Sequence, residues 1–82
     1  MQDWRDAVWS AVPEGADPER FAARRDFLLA GVAAGRRVLD LGCGDGAFAA
    51  ELIGAGCVVT MADVAGEALR RARGRAPGAE AV

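Results

Sequence analysis

Three glycines at alternating positions, Gly42, Gly44 and Gly46, stand inside VLDLGCGDGAF (residues 38–48), between an apolar run and a stretch with helical spacing. This feature constrains the fold most. Glycine accepts the left-handed backbone of a tight turn and lets another group come close to the main chain. A buried strand that runs into such a loop and leaves it as a helix belongs to an open parallel sheet, where ligands gather beyond the carboxyl ends of the strands.

The rest of the chain agrees with that frame. RRVLDL (36–41) reads as a short buried strand, and Phe48, Leu52 and Ala55 repeat at helical spacing until Gly56 stops the helix. CVVTMAD (57–63) is a β-branched second strand. AGEALRRARGRA (65–76) follows as a helix with Leu69 and Ala72 inward and Arg70, Arg71, Arg73 and Arg75 on a solvated face. After Pro77 and Gly78, AEAV (79–82) opens a third strand.

Upstream, MQDWRDAVWSAV (1–12) predicts a short helix ended by Pro13 and Gly15, with Trp4 and Trp9 as anchors to the body. DPERFAARRDFLLAGVAAG (17–35) predicts a second helix, with Asp17 as N-cap, Pro18 at its first position and Gly35 as its stop. Phe21, Leu28, Leu29 and Val32 share its apolar stripe, and Arg25 falls inside that stripe. A guanidinium there needs a carboxylate or the helix edge; a ligand carboxylate and Asp40 are its candidate partners.

Alternation of helix and strand predicts an α/β fold, a three-layer Rossmann-like parallel sheet with right-handed crossovers. Residues 1–16 form an N-terminal helix and linker, and residues 17–82 the body. The sheet reads as truncated after the start of its third strand. An apolar edge carrying Val38, Leu39 and Leu41 is then expected to lie open, and the chain alone to be marginally stable and inactive.

Composition removes several functions. Twelve acidic residues against ten basic ones give a formal charge of −2 without like-charged runs, so neither nucleic acid nor a membrane surface is an expected partner. With no histidine and only two cysteines, a zinc site and histidine acid/base catalysis are not expected. Cys43 and Cys57 form no C-x-x-C pair and follow no secretory leader, which predicts reduced thiols and a cytoplasmic protein. Cys43 reads as a small filler between glycines.

The loop itself satisfies two patterns. Gly42, Gly44 and Ala47 fit the dinucleotide fingerprint G-x-G-x-x-A, while Gly42, Gly44 and Gly46 fit G-x-G-x-G. Asp63, 21 positions after Gly42 at the end of the second strand, suits ribose hydroxyls under either. Asp40 separates them, because its charge would oppose a pyrophosphate and favour a cationic ligand such as S-adenosylmethionine. The pattern D-x-G-x-G-x-G of Asp40, Gly42, Gly44 and Gly46 resembles the first motif of the class I S-adenosylmethionine-dependent methyltransferases.

The resemblance extends over residues 37–78, the N-terminal half of that family's core. It implies that Asp40, Gly42, Gly44 and the backbone around Cys43 meet the methionine part of the cofactor, that Asp63 binds the ribose and that Val64 flanks the adenine. It further implies methyl transfer to a small-molecule acceptor. Ala65 and Gly66 depart from the family's frequent Ser-Pro and leave the following helix without a side-chain cap. A nucleotide-binding oxidoreductase, and a non-catalytic remnant or half that pairs with another chain, are the alternative readings.

Overall fold

The computed structural model describes residues 4–82. Its elements are α1 (Trp4–Ala11), α2 (Phe21–Ala30), β1 (Arg37–Leu41), α3 (Ala47–Gly54), β2 (Val58–Ala62), α4 (Gly66–Arg75) and β3 (Glu80–Ala81). The first three residues of the helix expected over 1–12 lie outside the described residues.

The three strands are parallel in the order β1-β2-β3, with Val38 opposite Val59 and Asp40 opposite Met61. The alternation of the strands gives the sheet two different faces. Val59 and Met61 are buried beneath α3 and α4, whereas Leu39, Leu41 and Val58 are 59%, 73% and 60% exposed. The open apolar surface is thus a sheet face as well as an edge. Val38, expected to share it, instead packs on the core.

Small residues let the helices approach the sheet and one another. Ala49, Ala68 and Ala72 are fully buried beside Leu52 and Met61, the largest enclosed side chains. Gly46 is required at the start of α3: its φ is 83°, and a Cβ there would stand 3.0 Å from Ala72 Cα in α4. The loop's last glycine therefore serves helix packing.

The helix expected from Asp17 to Gly35 is shorter at both ends. Asp17 caps nothing, since its carboxylate accepts a hydrogen bond from Arg75 Nη2 at 2.8 Å. The chain enters α2 instead through Arg20, whose left-handed φ of 54° breaks the helical path. At the other end Gly31 closes α2, bonding Leu28 O, and Gly35 turns the chain into β1 while donating to Gly56 O at 2.9 Å. Leu28, Leu29 and Val32 still pack on the core, so the stripe survives although Val32 lies past the helix.

The arginines of α4 are not a uniformly solvated face. Arg70 and Arg71 both bond Glu67, Arg71 also donates to Val12 O at 2.8 Å, and Arg75 joins Asp17 to Asp45. Their spacing from Glu67, three and four positions, is that of side-chain pairs on one helix face. No helix among the described residues is long and apolar enough to cross a membrane.

Candidate functional site

The carboxyl ends of β1 and β2 meet in one constellation. Beyond β1, Cys43 N–H donates to Ala62 O at 3.0 Å, which extends the β1–β2 ladder into the loop. Asp63 then fixes both junctions at once: Oδ2 accepts Gly44 N–H at 2.9 Å and Oδ1 accepts Ala65 N–H at 2.8 Å. A carboxylate offers about four acceptor positions, so two such bonds leave Asp63 capacity for further donors.

Gly42 shows what the loop leaves free. Its φ is 66°, and a Cβ built on it would meet no atom within 4 Å. The glycine makes room outside the protein. Beside it lies a recess of about 330 Å³ lined by Leu41, Gly42, Ala62, Asp63, Val64 and Val82. Val64 is 78% exposed there, an apolar side chain largely open to solvent.

Asp40 lies on the helix-side face of β1, paired across the sheet with buried Met61. Its Oδ2 is buried and has no hydrogen-bond partner. Burial, and secondarily the charge of Asp63, push its pKa above the ordinary carboxylate value. An unpartnered buried carboxylate oxygen is costly to leave so, and a cation brought to it would reverse both effects.

Cys43 is buried between the glycines, and burial, with Asp40 and then Asp63, pushes its thiol up to about 11. It is a neutral filler, without the thiolate that a nucleophile requires. Cys57 is buried too, and both thiols are free. Among the described residues no group of three histidine, cysteine, aspartate or glutamate side chains could hold a metal ion.

Arg25 does not pair with Asp40. Its Nε donates to Asp26 Oδ1 at 3.2 Å and its guanidinium lies 5.8 Å from the Phe21 ring, so these contacts stay within α2. The neighbouring carboxylate and a half-exposed position already satisfy the charge. Trp4 is no anchor, being 68% exposed, whereas Trp9 packs against the loop at Gly44.

Two carboxylates escaped the sequence reading. Asp45 is buried, bonds Ala47 N–H at 3.2 Å and accepts Arg75 Nη1 at 3.0 Å. An aspartate two residues before a helix start is a local signal that could have revealed it. Asp6 supplies the cap that Ala65 cannot: its Oδ1 accepts Glu67 N–H at 2.9 Å in the first turn of α4. Nothing local marks that contact.

A family sequence model described as a methyltransferase domain matches residues 38–82, more than half of the chain. The chain belongs to the class I S-adenosylmethionine-dependent methyltransferases. Solved structures agree with this methyltransferase fold. A structure from echinomycin biosynthesis, described for the conversion of a disulfide bond into a thioacetal group, is 33% identical with a TM-score of 0.67, over 94% of this chain and 36% of that one. A S-adenosylmethionine-dependent methyltransferase from Thiobacillus denitrificans in complex with S-adenosyl-L-homocysteine is 25% identical with a TM-score of 0.69, over 100% and 37%. A TehB-like methyltransferase from Corynebacterium glutamicum is 27% identical with a TM-score of 0.59, over 78% and 42%. The chain thus spans about two fifths of the length of these solved structures. No curated protein matches it.

Proposed function

We propose that this chain forms the cofactor-binding part of a methyltransferase that uses S-adenosylmethionine and methylates a small-molecule acceptor. The observation that carries this reading is the buried, unpartnered Oδ2 of Asp40 beside a loop whose Gly42 opens onto free space. The residues fit a ligand with a cationic end. The Thiobacillus denitrificans protein, in complex with S-adenosyl-L-homocysteine, supports the same cofactor class.

When bound, S-adenosylmethionine supplies an electrophilic methyl group on a positively charged sulfur. Asp40 faces the cationic methionine end and gains the partner it lacks, while Gly42 admits the ligand close to the backbone. Asp63 keeps the two junctions together and offers its remaining lone pairs to ribose hydroxyls. Val64 gives the adenine an apolar neighbour. Methyl transfer is a displacement that depends mainly on placing the acceptor atom in line, so rigid seating of the cofactor is this segment's contribution. Residues 17–82 carry that seat, with residues 1–16 appended to it. The two free thiols support a reducing, cytoplasmic setting.

A dinucleotide is disfavoured, since Asp40 would place a negative charge near a pyrophosphate. Calorimetric titration of the chain with S-adenosylmethionine and with NAD tests the choice. Binding of the first alone, weakened at least tenfold in Asp40→Asn, is expected, given about 1.5 to 3 kcal/mol for a hydrogen bond to a charged group. NAD binding as well as S-adenosylmethionine, or an unchanged affinity in the variant, overturns it.

A further inference from the structure

The segment from Asp6 to Asp17 is tied down along its length. Asp6 accepts Glu67 N–H, Arg71 holds the Val12 carbonyl, Arg70 reaches Glu14, and Arg75 bridges Asp17 to Asp45 in the loop. Together these ties lay Trp9 on the glycine loop. A Cβ on Gly44 would stand 2.9 Å from Trp9 Cζ2 and 3.0 Å from Cη2, so the indole edge occupies the ground that any side chain there would need.

The contact is specific to one ring. Trp4, in the same short helix, is largely exposed, whereas Trp9 is half-buried. Gly44 N–H is already bonded to Asp63, so the indole takes no hydrogen bond from it, and Gly42 beside it stays open. Tryptophan is also the aromatic side chain that best accommodates a cation, and it carries the largest apolar surface to set against a ligand.

We infer that Trp9 is a wall of the cofactor pocket: held against Gly44 by the ties of its segment, its ring packs on the flank of S-adenosylmethionine laid over Gly42. The inference rests on the cofactor reading above. It also gives the N-terminal helix a role in binding, because α1 delivers the ring.

Trp9 becomes the sole indole when Trp4 is replaced, so Trp4→Phe is the parent for the test. S-adenosylmethionine and S-adenosylhomocysteine are titrated into it, with calorimetry and tryptophan emission recorded in parallel. Trp9 emission is expected to shift with the same midpoint as the heat. Trp9→Ala in the intact chain should weaken calorimetric binding about tenfold, and Trp9→Phe should recover most of the loss. If Trp9→Ala loses its helical circular dichroism, the emission shift and Trp9→Phe decide. Heat of binding without an emission change overturns the inference and leaves the cofactor reading standing. Tighter binding by Trp9→Ala overturns it as well, since the ring would then sit in the ligand's place. If the parent binds neither compound, both readings fall.

Discussion

Between β1 and α3 the chain turns on glycines and takes a bond from its own Asp45, two residues before Ala47. Between β2 and α4 it turns on Asp63, Val64 and Ala65, and takes its cap from Asp6, 61 positions away from Glu67. The first junction takes its helix-start bond locally and leaves open ground at Gly42. The second is held by its own Asp63 together with one distant carboxylate, Asp6. Asp63 belongs to both, because one oxygen holds Gly44 and the other holds Ala65. The pocket is therefore a property of the pair of junctions, and the glycine loop alone would not hold its shape.

Asp63→Ala removes two bonds to a charged acceptor and so uncouples the two junctions. A loss of about 2 to 4 kcal/mol in unfolding free energy by urea titration is expected. A loss no larger than that of Asp45→Ala would mean that the junctions are independent.

Asp6→Ala removes the remote cap and should cost about 1 to 2 kcal/mol in the same measurement. Ala65→Ser, which puts a cap where sequence rules expect one, should restore part of it in the double variant. Failure of that rescue would show that Asp6 acts by docking α1 rather than by capping α4.

Asp40→Asn separates stability from binding. Because its folded pKa lies above its unfolded value, the folded state holds the proton more tightly, and stability falls as pH rises from about 3.8 through the raised value. At neutral pH the charge is a burden, so the variant should melt higher than the parent. The stabilisation conferred by S-adenosylmethionine should shrink in the same melts. A lower melting temperature would contradict the orphaned state of Oδ2.

The smallest effect belongs to Glu67. Hydrogen bonds from Arg70 and then Arg71 hold its carboxyl down at about 2, against an ordinary value of 4.5. Its contribution is present above pH 4.5 and disappears as pH falls toward 2. Glu67→Gln should flatten that acid limb in a pH series of thermal melts by lowering the neutral value toward the acid one, and only slightly, because Arg70 is largely exposed and solvent screens its charge.

Local chemistry made much of the fold legible in the sequence. The β-branched run at 57–63, the glycines after Leu41 and the helices expected over 47–55 and 65–76 all fall within a residue or two of their expected bounds. Asp63 was recognisable because it sits at a strand end at a fixed distance from the glycines. Partners far apart in sequence were not legible: the Asp6 cap, the diversion of Asp17 to Arg75 and the seating of Trp9 depend on where α1 lands. Arg20 misled for a related reason, since no rule assigns a left-handed φ to an arginine.

The remote cap also orders events in time. Asp6 leaves the ribosome long before Glu67, and their bond closes a loop across 61 positions. Loop closure grows costlier by about 0.6 kcal/mol for each doubling of length, and that entropy is lost before the contact repays any of it. The segment that carries Asp6 is thus made before its partner and is expected to settle after it, docking once β1, β2 and α4 have assembled. A nascent chain halted before α4 would carry its tryptophans on an undocked strap, and Trp9 emission during synthesis would record the moment at which the cofactor seat is completed.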